Sequence, residues 1–163
     1  MKKIGIKPSE LKKVSLYTKE LRKCINKSKQ IGLEKALKEW SEEIKKRRLV
    51  WFEQHKNSLN LQGTEVRKGF QLVIIEYMGI DPKEVSIVEE TDKKITYRGC
   101  NFCPYLEAIK KLKMDSRVIC NQVTEAPIQS LLDAINPHLR FSRNYKKIRP
   151  YAKYCEETIE LID

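Results

Sequence analysis

Apolar residues recur every three or four positions through most of the first 80 residues, which is the spacing of one face of a helix. Pro8, Ser9 and Glu10 have the character of a helix start, and Gly32 has that of a helix end. A second apolar stripe, interrupted at Arg47, follows at Leu33, Leu37, Trp40, Ile44 and Trp51. The pattern predicts two long helices joined at Gly32, which form an antiparallel hairpin or a helical contact between subunits.

A third helix is predicted between Thr64, which can cap its start, and Gly79, which can end it. Its core positions are Phe70, Val73, Ile74, Tyr77 and Met78. Gly69 lies on the same stretch, and its small size allows a close helix contact.

Beyond residue 81 the apolar pattern changes from the period of helices to the period of strands. Four strands are expected at residues 85–90, 94–98, 139–145 and 154–161. Between the second and third strands, residues 104–113 predict a short helix, and residues 116–135 predict a longer one that Pro127 interrupts. This order predicts an α+β fold, with N-terminal helices packed on a C-terminal antiparallel sheet of β-β-α-α-β-β order.

We expect residues 1–80, the helical region, and residues 81–163, the cysteine-bearing α+β region, to form one compact unit. No apolar run is long enough to cross a bilayer, and Met1–Lys7 is not followed by the apolar stretch of a signal peptide. These features predict a cytoplasmic protein without membrane association. Heavy use of lysine, glutamate and isoleucine, with little glutamine, is typical of a thermophilic source.

The positive charge is concentrated in the N-terminal third. Residues 1–61 contain 17 Lys and Arg against 7 Asp and Glu, whereas residues 62–163 contain 16 against 15. Such asymmetry is typical of surfaces that bind nucleic acid, although it also describes an ordinary solvated helix face. One function to consider is therefore a nucleic-acid-binding or regulatory protein that uses the N-terminal lysines and the run Lys45, Lys46, Arg47 and Arg48, with Trp51 close enough to stack on a base.

Four of the five cysteines lie in the last 64 residues, at Cys100, Cys103, Cys120 and Cys155. The first two form a Cys-x-x-Cys pair, whose spacing can close around one zinc or iron ion, and the other two could complete a tetrahedral site. His138 could replace one thiol. We therefore consider Cys100, Cys103, Cys120, Cys155 and His138 as candidate ligands for a metal or a small molecule.

Other interpretations of the cysteines stay open. Cys103 precedes Pro104 at a predicted helix start, where a thiol can become reactive, so a thiol oxidoreductase is conceivable. A thermophilic protein could also carry a Cys120–Cys155 disulfide. Free cysteines also pack as small hydrophobic residues, which is the simplest interpretation of Cys24 and Cys120.

Four motifs stand in the last 60 or so residues: Cys-Pro-Tyr-Leu-Glu-Ala at 103–108, Cys120, Asn-Pro-His-Leu at 136–139, and Lys-Ile-Arg-Pro-Tyr-Ala-Lys-Tyr-Cys-Glu at 147–156. Together they resemble the C-terminal part of aminothiazoline-carboxylate hydrolase-like proteins and, more weakly, of the 4-vinyl reductase domain. The resemblance implies an α+β small-molecule-binding fold related to haem- and nitric-oxide-binding sensor domains. It carries Cys103, Cys120 and Cys155 over as site positions.

The function expected from these features is binding of a small organic ligand, or of a metal, in a pocket edged by the cysteines. If the site is catalytic, the resemblance implies hydrolysis or reduction of a small heterocycle or vinyl group. The tryptophan stripe of the second helix needs a surface to pack on, so we also predict a homodimer. A structural subunit of a larger complex is a third possibility.

Overall fold

The computed structural model of the chain describes residues 6–163, so the N-terminal lysines at positions 2 and 3 lie outside the described residues. The helices are α1 Pro8–Ile31, α2 Leu33–His55, α3 Glu65–Phe70, α4 Pro104–Lys111, α5 Ser116–Ile119 and α6 Glu125–Ile135. Two π-helical segments, Gln71–Tyr77 and Cys120–Thr124, extend α3 and join α5 to α6. The strands are β1 Val85–Glu90, β2 Lys94–Gly99, β3 Leu139–Arg143 and β4 Cys155–Leu161.

The four strands form one antiparallel sheet in the order β1-β2-β4-β3. The last strand of the chain therefore lies between β2 and β3, where Ile95 pairs with Ile159 and Leu139 pairs with Leu161. The predicted α+β class, with N-terminal helices and a C-terminal antiparallel sheet, is confirmed.

Helices α1 and α2 form the predicted antiparallel hairpin. Gly32 joins them with a φ of 88°, which a residue with a side chain rarely adopts. Cross-helix ion pairs join Lys27 to Glu39 and Arg47 to Glu20, so the helices run in opposite directions along their length.

Pro127 does not interrupt its helix, contrary to the sequence-based expectation. It lies in the first turn of α6, directly after the second π-helical segment, and the helix continues to Ile135. Because proline has no N–H, the carbonyl of Val123 four residues earlier lacks its usual helical partner. The hydroxyl of Ser41 on α2 donates to that carbonyl at 2.8 Å, and this bond fastens the two helices together.

The inner face of the sheet carries the main core. Apolar side chains at alternate positions of β2, β3 and β4 pack against α3, its π-helical extension and α6. Gly69 permits this contact, as predicted, because a Cβ there would lie 3.0 Å from a methyl group of Leu132. The outer face is polar, with Thr96 paired to Thr158 and Arg98 to Glu156.

A second core lies within the helical layer. There Leu37, Trp40 and Ile44 of α2 are buried against α1, α4 and α5. The stripe that was expected to need a partner subunit is thus covered by the chain itself. The argument for a homodimer from this stripe is therefore wrong, and the oligomeric state stays a prediction.

No helix among residues 6–163 is both long enough and apolar enough to span a membrane.

Candidate functional site

A cavity of about 420 Å³ lies where the helical layer meets one end of the sheet. Its walls come from α1, α2, the extension of α3, β2, β4, α4 and the segment that joins α5 to α6. The side chains that line it are mainly aromatic or aliphatic, with a few polar groups that converge on the same space. Such a composition is typical of pockets that bind small molecules.

The sheet supplies the floor of the cavity through the alternation of its side chains. Strand register places Tyr97, Glu157 and Arg143 side by side across β2, β4 and β3. One step closer to the end of the sheet, Gly99 pairs with Cys155. The inner face thus changes from apolar in its centre to polar where the cavity opens.

Arg143 and Glu157 form a nearly buried ion pair on this floor. Two nitrogens of Arg143 donate to Glu157 Oε1 at 2.8 and 3.0 Å, and Nη1 donates to the carbonyl of Cys120 and to Thr124 Oγ1. Burial is the largest single effect and acts to lower the pKa of Arg143, but the charges and the hydrogen bond of its neighbours, Glu157 first among them, together outweigh it, so this pKa is raised. Arg143 is therefore charged, and it ties the π-helical segment to the sheet.

The hydroxyl of Tyr97 lies beside this pair and is fully buried. It has no hydrogen-bond partner within residues 6–163. Burial, together with the negative charge of Glu157, raises the pKa of Tyr97 well above its ordinary value. Tyr97 therefore presents a neutral hydroxyl to the cavity.

Three of the candidate thiols line the cavity, namely Cys103, Cys120 and Cys155. Burial raises the pKa of Cys103, and it raises the pKa of Cys120 to about 12. Both are therefore neutral thiols near pH 7, which makes them poor nucleophiles and poor metal ligands.

Cys155 has different surroundings. The backbone N–H and the side-chain Nε of Arg149 both point at its sulfur, each at 3.4 Å. The Arg149 guanidinium also donates to the carbonyl of Asn101, another residue of the cavity lining. An adjacent arginine is a setting in which cysteines become reactive, so Cys155 is the candidate reacting thiol.

The predicted metal site is not assembled. Within residues 6–163, no three His, Cys, Asp or Glu side chains are grouped so that they could hold a metal ion. Cys100 is exposed and does not line the cavity. His138 lies in the turn directly before β3 and is also outside the cavity lining. The two cysteines of the Cys-x-x-Cys pair therefore do not face the same site. Cys100 follows the end of β2 and is exposed, whereas Cys103 is the N-cap residue of α4 and lines the cavity.

Arg48 lines the cavity, although the sequence predicted it to lie on an exposed basic surface. Its side chain is 2% exposed, its Nε and Nη1 find no hydrogen-bond partner among the described residues, and its guanidinium carbon lies 4.9 Å from the centre of the Tyr77 ring. Arg48 follows Trp40 and Ile44 by eight and four residues, so the buried stripe of α2 continues through it. That spacing is the signal that could have identified it.

The basic run of α2 is consequently not a continuous exposed surface. Arg48 is buried, and Arg47 forms an ion pair with Glu20. Lys45 is half-buried and Lys46 is exposed. The prediction that all four residues contact nucleic acid is wrong for Arg48, because a buried side chain cannot reach a phosphate.

Aromatic rings form the helical wall of the cavity. The rings of Tyr17 on α1 and Tyr105 on α4 stack with centroids 3.9 Å apart and planes 7° from parallel. Trp51 meets Tyr77 edge to face at 4.9 Å. Trp51 was considered from the sequence as a packing residue or as one that stacks on a base, and the three tyrosines were not identified as site residues. Aromatic residues at helical spacing look the same whether they face a core or a cavity.

The thiols should differ in their rate of alkylation. With iodoacetamide at pH 8, we expect the exposed Cys100 to react first and Cys155 to be the fastest of the cavity thiols. Cys120 should react at least about 100-fold more slowly than the exposed Cys100, because Cys120 is shielded from the reagent and its raised pKa leaves it almost wholly in the unreactive thiol form. Peptide mass spectrometry of timed samples measures the order. All five thiols must react equally in denaturant, and equal rates for Cys100 and Cys120 in the folded protein would contradict the prediction.

Comparison of the chain with protein-family models, with curated proteins and with solved structures finds no match.

Proposed function

We propose that this protein binds a small organic molecule in the cavity between its helical layer and its sheet. The observation that carries the proposal is the cavity itself, about 420 Å³ in volume, with aromatic walls and a few polar groups that converge on it. Natural ligand sites have this size and composition. Cys103, Cys120 and Cys155 edge the site, whereas Cys100 and His138 are not part of it.

The polar groups also favour ligand binding over a purely structural role. Buried polar atoms usually have hydrogen-bond partners, and those that lack one within a protein often serve a function. Both Arg48 and Tyr97 are buried, line the cavity and have nitrogen or oxygen atoms without a partner among the described residues. A bound molecule would supply the acceptors that the Arg48 N–H groups and the Tyr97 hydroxyl lack.

A neutral fluorescent probe tests the proposal. N-phenyl-1-naphthylamine, whose emission rises in apolar surroundings, should bind the folded protein with one site per chain. The substitution Cys120→Phe places a ring in the cavity, and it should abolish the fluorescence increase because the ring occupies space that the probe needs. Titration of the probe into both proteins measures the effect.

The matched control is Cys100→Phe, which adds the same ring at an exposed position outside the cavity. It should bind the probe as the parent protein does. Melting curves for both variants establish that they are folded. The proposal fails if the parent protein does not bind the probe, or if Cys120→Phe binds it unchanged.

The resemblance to aminothiazoline-carboxylate hydrolase-like and 4-vinyl reductase proteins adds a reaction to this proposal. Hydrolysis or reduction of a small heterocycle or vinyl group stays a prediction, with Cys155 as the candidate reacting residue. Nucleic-acid binding loses its main support, since the basic run on α2 is partly buried and partly paired.

A further inference from the structure

The charges around the cavity are strongly unbalanced. Four cationic side chains line it, namely Lys13, Arg48, Arg143 and Arg149, against one carboxylate, Glu157. Arg143 pairs with that carboxylate. Neither Arg48 nor Arg149 has a carboxylate partner within the described part of the chain. The cavity lining therefore carries an excess of positive charge, and the unpaired Arg48 guanidinium is the part of that excess that is buried.

Arg48 is the most unusual of these groups. A buried guanidinium without a counter-ion is costly, because the charge has lost its hydration and gained nothing equivalent. The Tyr77 ring offers only the weaker attraction between a cation and a π-system. Arginine is also permanently charged, so it cannot escape this cost by releasing a proton.

From these observations we infer that Arg48 is an anion-binding residue, and that the ligand is a planar organic carboxylate whose carboxyl group pairs with it. This inference rests on the proposed function, and it specifies the class of ligand. The stacked pair of Tyr17 and Tyr105, together with Trp51, provides flat apolar surfaces beside Arg48 for the body of such a molecule.

A carboxylate fits better than a phosphate monoester. Arg48 is the buried cation on the lining that has no carboxylate partner among the described residues, since Lys13 is exposed and Arg149 is only half-buried. Its single charge is balanced by a single negative charge, whereas a phosphate monoester carries close to two charges above pH 7. The remaining acceptor capacity of a carboxylate suits the neutral hydroxyl of Tyr97, which can donate a hydrogen bond on the same cavity lining.

Three naphthalene compounds test the inference by displacing N-phenyl-1-naphthylamine at pH 8: 2-naphthoate, the neutral 2-naphthalenemethanol, and 2-naphthyl phosphate. On the parent protein, 2-naphthoate should bind about tenfold or more tighter than the neutral alcohol, because hydrogen bonds to a charged group are the stronger kind. It should also bind tighter than the phosphate. A preference for the phosphate would overturn the assignment to carboxylates.

The decisive variant is Arg48→Met, which keeps an unbranched side chain of similar length without the charge. It should weaken 2-naphthoate binding by about 30-fold or more and leave 2-naphthalenemethanol unchanged. The matched control is Arg47→Met, which removes the neighbouring charge outside the cavity. That control should leave the ratio of the two affinities unchanged.

Thermal melting of the ligand-free variants separates a binding role from a structural one. Because the unpaired charge is costly, Arg48→Met should raise Tm by about 3 °C. A fall in Tm with unchanged selectivity for 2-naphthoate would show that Arg48 serves the fold, which overturns the inference. If N-phenyl-1-naphthylamine binds but 2-naphthoate has no advantage over the alcohol, the inference fails while the proposed function stands. If the fluorescent probe itself does not bind, the proposed function fails first.

Discussion

Replacing Glu157 by alanine should destabilise the protein by about 3–5 kcal/mol, a large part of the stability of an ordinary domain. Glu157 is the carboxylate that compensates Arg143, whose side chain is 7% exposed. Without it, the guanidinium keeps its charge in a place that water hardly reaches. Arg143 also donates to the carbonyl of Cys120 in the π-helical segment, so the replacement should destabilise that segment as well as the sheet. Denaturant unfolding followed by circular dichroism measures the difference.

An exposed pair provides the control for this prediction. Arg67 and Glu90 also form a two-pronged ion pair, but their side chains are 30% and 33% exposed. Glu90→Ala should cost less than about 1 kcal/mol, because water and salt screen surface pairs. The double replacement Arg143→Met with Glu157→Leu removes the buried charge altogether and should recover much of the stability lost in Glu157→Ala. Equal losses for Glu157→Ala and Glu90→Ala would refute the buried ion-pair argument.

Trp40→Ala should cost about 3–5 kcal/mol, the usual range for removing a buried tryptophan. Trp40 is 4% exposed and lies at the centre of the core that joins α1, α2, α4 and α5. Its indole nitrogen donates to Glu20 at 3.1 Å, and this bond is lost with the ring. Urea unfolding of the variant gives the free energy directly.

Trp51 is the matched control, because it was expected from the sequence to be an equivalent packing anchor. It lines the cavity and is only partly buried, so Trp51→Ala should destabilise the protein by about half as much or less. Trp51→Ala should also weaken binding of N-phenyl-1-naphthylamine. Trp40→Ala, measured at a temperature at which it is still folded, should bind the probe as the parent protein does. If the two replacements have the same effect on stability, the division of the stripe into a core half and a cavity half is wrong.

Most elements of the fold are predictable from local patterns. The starts of α1 and α4 follow from Pro8 and Pro104, and strands β1 and β2 end within one residue of their predicted limits. The strand order is not local, because β4 inserts between β2 and β3 through contacts about 60 residues apart in the chain. The alternation of apolar and polar residues identifies a strand, and turn residues mark its ends. Neither shows which other strands it will pair with.

The candidate site could be predicted only in part. Cys103, Cys120 and Cys155 line the cavity, in keeping with the preference of cysteine for buried positions, and their role in a site stays a prediction. The fourth, Cys100, was grouped with them because spacing along the chain does not show that a strand end turns it outward. Arg48 was predicted to lie on the surface because arginine side chains are usually exposed to solvent. Its spacing from Trp40 and Ile44 indicated a buried position, but that spacing was given less weight than its charge.

The division of the interior into two cores has a consequence for how the protein opens. The helical layer and the sheet layer each have a core of their own, and the cavity walls belong to both. An occupant of the cavity is therefore a structural bridge, and its binding energy opposes separation of the two layers as well as unfolding of either. Amide protons in α1 and in β2 should then exchange with solvent as one cooperative group when the cavity is filled, and as two groups when it is empty.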